Sequence, residues 1–180
     1  MCKNNHLKCW GIVVLALLFF SIGAVSAQGN ANQYLQISLT GYLVTQSTDD
    51  KGVTKEHLGV LPDTVLPGYV IQYEIAATNT SIGGSSADIL RNVSLIGAIP
   101  KGTVYIEYSV SDAGLAAFSI DGGRVYSIWP VSYKAKLPDG SETIRKAGPE
   151  LCTEIRWIIP EIKPQETRKV IYRVKVRAGQ

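Results

Sequence analysis

Apolar and polar side chains alternate with a period of two through residues 67–81, PGYVIQYEIAATNTS. The period places one set of side chains on a single face: Tyr69, Ile71, Tyr73, Ile75 and Ala77. Such alternation is typical of a half-buried β-strand, because successive strand side chains point to opposite faces of the sheet. The Pro-Gly pair predicts a turn before the strand. Asn79 predicts a side chain that bonds nearby backbone where the strand ends.

The same period recurs along the chain, and no stretch after residue 27 shows capped helical periodicity. Further strands are expected at residues 34–44, 93–99, 103–110, 118–120, 124–137, 142–145, 155–159 and 170–176. Residues 45–66 are interpreted as a long polar connection with room for a short extra strand. Many short strands separated by Gly, Pro, Asp and Asn turns predict an all-β, immunoglobulin-like Greek-key sandwich of about seven to nine strands.

The first 27 residues have the layout of a secretory signal peptide. Lys3 and Lys8 precede the apolar run WGIVVLALLFF, and small residues follow it up to Ala27. We expect cleavage between Ala27 and Gln28, a flexible segment over residues 28–33, and one domain over residues 34–180. A retained N-terminal anchor is the alternative. After cleavage the sequence predicts no integral membrane span and an exported protein at the cell surface, outside the cell or in the periplasm.

Charge and cysteine content exclude several classes of protein. The chain has 18 basic and 15 acidic residues, and loss of two signal-peptide lysines leaves 16 basic residues. A net charge near +1 does not favour a nucleic-acid partner. Cys152 alone would remain after cleavage, so no internal disulfide is expected. Cys152 could therefore form a disulfide with a partner protein, or it could be a free thiol.

Catalytic and metal-binding patterns are sparse in the sequence. After the signal there is one histidine, His57, and no GxSxG motif, so we expect no enzyme and no catalytic residue. One Cys and one His cannot supply a zinc site, and no cofactor is predicted. Calcium remains open, although no EF-hand motif holds the loop aspartates, which are better explained as turn-formers. These are Asp49, Asp50, Asp63, Asp112 and Asp121.

Two sets of side chains, besides Cys152, are candidate interaction residues. The first is a basic stripe on one face of the last strand: Lys169, Arg173, Lys175 and Arg177. It suits an acidic polymer or lipid head groups, or else a solvated face or a charged edge strand. The second is an aromatic set that suits sugar stacking, or else ordinary sandwich core: Tyr126, Trp129 and Tyr133.

The order of short motifs over residues 67–177 resembles a family of bacterial cell-surface and secreted proteins. The motifs are Pro67-Gly68, Tyr73, Asn79, Asn92-Val93, Leu95, Ile99-Pro100, Gly102, Ser119-Ile120-Asp121-Gly122-Gly123, Arg156-Trp157, Pro164 and the strand VIYRVKV. They are similar to the conserved repeat domain known as the domain of unknown function eleven family. The resemblance implies an immunoglobulin-like, non-catalytic domain of the cell envelope without a cofactor.

The sequence therefore predicts an exported, non-catalytic envelope protein with a structural, adhesive or assembly role. Its expected partner is another envelope protein or polymer. A carbohydrate-binding module that uses Tyr126, Trp129 or Tyr133 is the alternative, and a hydrolase with an unrecognised cleft is a third hypothesis.

Overall fold

The computed structural model describes residues 34–178, and these residues form antiparallel β-sheets with three short 3-10 turns. The strands are β1 (Leu35–Thr48), β2 (Thr54–Val60), β3 (Val70–Asn79), β4 (Leu90–Ala98), β5 (Thr103–Tyr105), β6 (Ala116–Ser119), β7 (Ser132–Lys136), β8 (Glu142–Lys146), β9 (Glu154–Ile162) and β10 (Thr167–Val176). The predicted all-β sandwich is thus confirmed.

The strands are arranged in two facing sheets and a separate hairpin. The first sheet has five strands in the order β2-β1-β3-β10-β5, and the second has three in the order β4-β9-β6. Strands β7 and β8 pair only with each other. The chain passes between the two facing sheets from β3 to β4, from β4 to β5, from β5 to β6 and from β9 to β10. Neighbours within a sheet are therefore mostly distant in sequence.

The core lies between the inner faces of the two sheets. In the five-stranded sheet β3 and β10 contribute Ile71, Ile75, Ala77, Val170, Tyr172 and Val174, and in the three-stranded sheet β9 contributes Ile155, Trp157 and Ile159. Two aromatic side chains join the layers, because the rings of Trp157 and Tyr172 have centroids 6.0 Å apart. The Tyr172 hydroxyl also donates to the carbonyl oxygen of Ala98 at 2.8 Å.

Several strand predictions match these positions. The inner faces predicted for residues 71–77, 155–159 and 170–174 are the buried ones, apart from the half-buried Tyr73. The predicted turn at Pro138-Asp139-Gly140 joins β7 to β8, where Asp139 accepts a hydrogen bond from the amide of Ser141. Asn79 is fully buried, and its amide nitrogen donates to the carbonyl oxygens of Asp88 and Ile162.

One prediction of local structure was right in part, and another was wrong. Residues 45–66 do contain a short extra strand, β2, but β1 also continues to Thr48 and forms a hairpin with it. Residues 103–110 are not one strand, because β5 ends at Tyr105 and Tyr108 takes a φ of 60°. The inward side chain of β5 is consequently Tyr105, which is 2% exposed, whereas Tyr108 points outward and is 83% exposed.

The predicted signal peptide, its cleavage between Ala27 and Gln28, and the segment 28–33 lie outside the described residues. Within residues 34–178, no helix is both long and apolar enough to span a membrane.

Candidate interaction surface

The first two strands extend the five-stranded sheet beyond the sheet that faces it. Ile37 and Leu39 of β1 are in register with Ala77 and Ile75 of β3, and all four side chains point to the same inner face. Ala77 and Ile75 are 0% and 4% exposed, but Ile37 and Leu39 are 52% and 62% exposed. The three-stranded sheet therefore covers β3 and leaves the inner face of β1 open.

Strand β2 forms the outer edge of this extension. Each of its seven residues is exposed, and in the described part of the chain it pairs only with β1. Its first half carries Lys55, Glu56 and His57, whereas Leu58 and Val60 in its second half are 50% and 91% exposed. Charged residues discourage strand addition at an edge, whereas an exposed apolar edge favours it.

Large exposed hydrophobic side chains are concentrated in this region. Of the seventeen in the described residues, eight lie in residues 34–66: Tyr34, Ile37, Leu39, Val53, Leu58, Val60, Val65 and Leu66. Ile37 and Leu39 lie on the inner face, whereas Leu58 and Val60, the register partners of Val44 and Tyr42, lie on the outer face. Scattered apolar side chains are ordinary on a surface, but their concentration on both faces of one sheet edge marks a contact site. We name the strands β1 and β2 and the segment 61–66 the β1–β2 extension. The sequence predicted a strand over residues 34–44 and room for a short strand in residues 45–66, but it did not predict their hairpin or the exposed apolar side chains of β2.

The predicted basic stripe lies on the outer face of β10, which is an interior strand between β3 and β5. The suggestion of a charged edge strand is therefore wrong. Lys169 forms an ion pair with Glu74 at 2.8 Å, and the carboxylate raises the pKa of the Lys169 ammonium. The guanidinium of Arg177 donates to the carbonyl oxygen of Glu150. Lys175 is exposed next to Arg173 on the same face.

Arg173 is the most constrained member of the stripe. Its Nη1 and Nη2 donate to the two carboxylate oxygens of Glu56 at 3.1 and 3.0 Å, and its Nε donates to Oε1 of Gln72 at 2.9 Å. The hydrogen bonds and charge of Arg173 lower the pKa of the Glu56 carboxyl. The stripe is thus partly neutralised by acidic side chains from neighbouring strands.

The three candidate aromatic side chains do not form one platform. Trp129 packs with Tyr105 and Phe118 at centroid distances of 5.3 Å. The Tyr126 hydroxyl donates to Glu154 at 2.6 Å, and the Arg156 guanidinium carbon lies 4.0 Å from the Tyr126 ring centroid.

Tyr133 is half-buried on β7 and packs against the core. Each of the three rings therefore already has a structural contact.

Cys152 lies in the segment before β9, directly after a 3-10 turn at Pro149–Leu151. Parity with Trp157 predicts that Cys152 lies either on the outward side of its strand or in the loop before it; it lies in the loop, and its side chain is only 4% exposed. Burial raises the pKa of the thiol to about 12. A disulfide to a partner would first require local opening, because the reactive species is the thiolate.

The loop aspartates act largely as turn-formers. Asp49 accepts hydrogen bonds from the amides of Lys51 and Val53, and Asp121 accepts them from the amides of Arg124 and Val125. The Ser119 hydroxyl also donates to Asp121, and this bond is the largest cause of the lowered Asp121 carboxyl pKa. No group of three or more metal-ligating side chains occurs among residues 34–178.

Comparison with known proteins identifies no relative. No family model, no curated protein and no solved structure matches this chain.

Proposed function

We propose that this chain is an exported, non-catalytic protein of the cell envelope with a structural or protein-interaction role in adhesion or assembly. The observation that carries the proposal is the β1–β2 extension, whose edge strand and open apolar face suit contact with another protein. The basic and apolar layout of residues 1–27 supports export. Resemblance to a cell-surface repeat domain supports an envelope location.

In this proposal the sandwich is a rigid scaffold and the β1–β2 extension is the contact surface. Burial of Val60 and Leu58 against a partner would remove apolar area from water, at roughly 25 cal/mol per Å². Backbone pairing along β2 would add hydrogen bonds that the isolated edge lacks. A covalent link through Cys152 is a further proposal, and it requires the buried thiol to open first.

Retention in the envelope fraction of the host tests this function. A double variant, Leu58→Lys and Val60→Lys, should release the protein from the envelope while leaving its fold intact, because both side chains are already exposed. Ile144→Lys is the matched control, since Ile144 is 75% exposed on the separate β7–β8 hairpin. Equal retention of both variants would contradict the proposed contact surface.

Carbohydrate binding is the second candidate function. Trp129 and Tyr126 are engaged by the contacts described above, which leaves less of their ring faces for a sugar. A groove lined by Glu107, which accepts a hydrogen bond from Nε1 of Trp129, favours this candidate more, and it is considered next.

A further inference from the structure

A groove of about 700 Å³ crosses the outer face of the five-stranded sheet. Residues 43–46 of β1, Glu56 of β2, Val70 of β3 and Arg173 of β10 lie along its floor, and Gly68, Tyr69 and residues 106–109 border it. It is open, and polar and aromatic residues both line it. The groove lies outside the three aromatic positions considered above.

Hydrogen bonds to Glu56 and Gln72 hold the Arg173 side chain in one position on the floor of the groove. Arg173 binds both carboxylate oxygens of Glu56 in a bidentate pair, and Gln72, which is 5% exposed, fixes the guanidinium from the side. Such a planar pair is already arranged before any ligand arrives, which lowers the entropic cost of binding.

The same pair retains unused hydrogen-bonding capacity. A guanidinium carries five N–H donors, and among the described residues Arg173 uses three of them, one on Gln72 and two on Glu56. Carboxylate oxygens can each accept a second bond. Vicinal hydroxyl groups of a sugar match this arrangement, because each hydroxyl both donates and accepts.

The charges of the floor argue for a neutral ligand. Arg173 carries one positive charge and Glu56 one negative charge, and the lowered pKa of Glu56 keeps its carboxyl ionised at neutral pH. Glu107, which also lines the groove, is a second carboxylate and accepts a hydrogen bond from Nε1 of Trp129. An anionic ligand would be attracted by the guanidinium but repelled by both carboxylates, and a cationic ligand would be repelled by the guanidinium.

Tyr108 presents an aromatic ring at the wall. It is 83% exposed and has a φ of 60°, a conformation that is unfavourable for a residue with a side chain. The loop that carries it is attached to β10, because the Ile106 amide donates to the Arg173 carbonyl and the Arg173 amide donates to the Ser109 hydroxyl. The backbone at Tyr108 is therefore fixed beside the groove, and Tyr108 lies between this groove and a smaller pocket lined by Ile128 and Trp129.

We propose that this groove binds a neutral oligosaccharide. The ring of Tyr108 stacks on the apolar face of one sugar, and the Arg173–Glu56 pair binds vicinal hydroxyl groups on the floor. Aromatic side chains with one apolar face and one polar end suit this contact. The site goes beyond the proposed protein contact. It shares the outer face of β2 with Val60 through Glu56, but Val60 itself does not line the groove.

Calorimetric titration tests the proposal, with neutral tetrasaccharides of glucose, N-acetylglucosamine and mannose as probes and tetragalacturonate as the anionic comparator. At least one neutral probe should bind at millimolar concentration or below. Tyr108→Asn should weaken that binding about tenfold or more, equivalent to about 1.4 kcal/mol, whereas Tyr108→Phe should retain it. Asn tolerates a positive φ, so loss of the ring leaves the backbone conformation accessible.

The matched control is Tyr34→Asn, because Tyr34 is 37% exposed and lies outside the groove. Glu56→Gln should weaken the neutral probe and strengthen tetragalacturonate, since Arg173 then carries an unopposed charge. Failure of each neutral probe to bind, binding of tetragalacturonate alone, or equal effects of the Tyr108 and Tyr34 variants would overturn the proposal. Normal envelope retention of Tyr108→Asn would show that the protein contact is independent of this groove.

Discussion

At the scale of single residues, Gly97 of β4 lies directly against the ring of Tyr172 in the facing sheet. A Cβ at this position would lie 2.5 Å from Cε1 of Tyr172, whose side chain is 1% exposed and is tied to Ala98 by its hydroxyl. The ring cannot move aside without losing that bond. We expect Gly97→Ala to lower the free energy of unfolding by about 1–3 kcal/mol through overpacking, as measured by urea denaturation.

Gly59→Ala is the control for this substitution. The nearest atom to its added Cβ is the carbonyl oxygen of Leu43 at 3.9 Å, which is an ordinary contact distance. Its unfolding midpoint should stay near that of the unsubstituted chain. Identical midpoints for the two alanine variants would show that the Tyr172 ring moves freely.

The buried thiol of Cys152 should make the protein less stable at alkaline pH. Burial raises the pKa of its thiol from 9.0 to about 12, so the folded state holds the proton more tightly than the unfolded state. The resulting stabilisation is present below the unfolded pKa and is lost as the pH rises towards 12. We expect urea midpoints to fall above pH 9.0, and to fall less steeply in Cys152→Ala.

Tyr105 contributes to the same pH dependence, since burial raises the pKa of its hydroxyl from 10.0 to about 12. Some loss of stability at alkaline pH should therefore persist in Cys152→Ala. The explanation by the Cys152 thiol would be wrong if the urea midpoints of Cys152→Ala and of the unsubstituted chain fall equally steeply with pH.

Residue roles were predictable where they depend on local chemistry. Asp49 and Asp121 bond to groups within a few residues of themselves, and such turn chemistry can be recognised in sequence. Asn79 bonds to the nearby Asp88 as predicted, but its second bond, to Ile162, depends on the fold and could not be recognised. The orientation of Cys152 was not predictable, because the 3-10 turn at Pro149–Leu151 breaks the alternation that was extrapolated from Trp157.

At the scale of elements, β1 and β3 differ in burial although they are adjacent in one sheet. Leu39 and Ile75 are register partners on the inner face, at 62% and 4% exposed. We expect Ile75→Ala to lower the free energy of unfolding by about 2–5 kcal/mol, and Leu39→Ala by less than about 1 kcal/mol. Chemical denaturation of both variants measures the difference.

If Leu39→Ala strongly lowered the free energy of unfolding of the isolated monomer, the inner face of β1 could not be open. The sedimentation coefficient of the same samples shows whether a second copy covers that face and would account for such a cost.

Interior strands were easier to predict than edge strands. In β9 and β10 one face is core and the other is outward, so apolar and polar residues alternate. In β2 neither face is covered, and its polar residues resemble those of a loop. After β5, the side chains of Ser109 and Ser111 accept hydrogen bonds from β10 where a continued strand would have used backbone. The sequence of residues 103–110 alternates all the same, so no local signal marks the end of the strand.

At the scale of the whole molecule, the five-stranded sheet is larger than the sheet that covers it. This difference leaves the inner face of the β1–β2 extension open, and the outer face of the same two strands carries both the apolar edge at Leu58 and Val60 and part of the groove beside Tyr108. Neither surface could be located from sequence, because each depends on which strands face one another across the sandwich. The fold class needed only the period of two and the turn residues.

The central claim is that the β1–β2 extension contacts another envelope component. Photocrosslinking in intact host cells tests it most directly, with p-benzoylphenylalanine placed at Val60 in one variant and at Ile144 in another. The account predicts a discrete crosslinked product from position 60 and none from position 144. No product at position 60, or the same product from both positions, would contradict it.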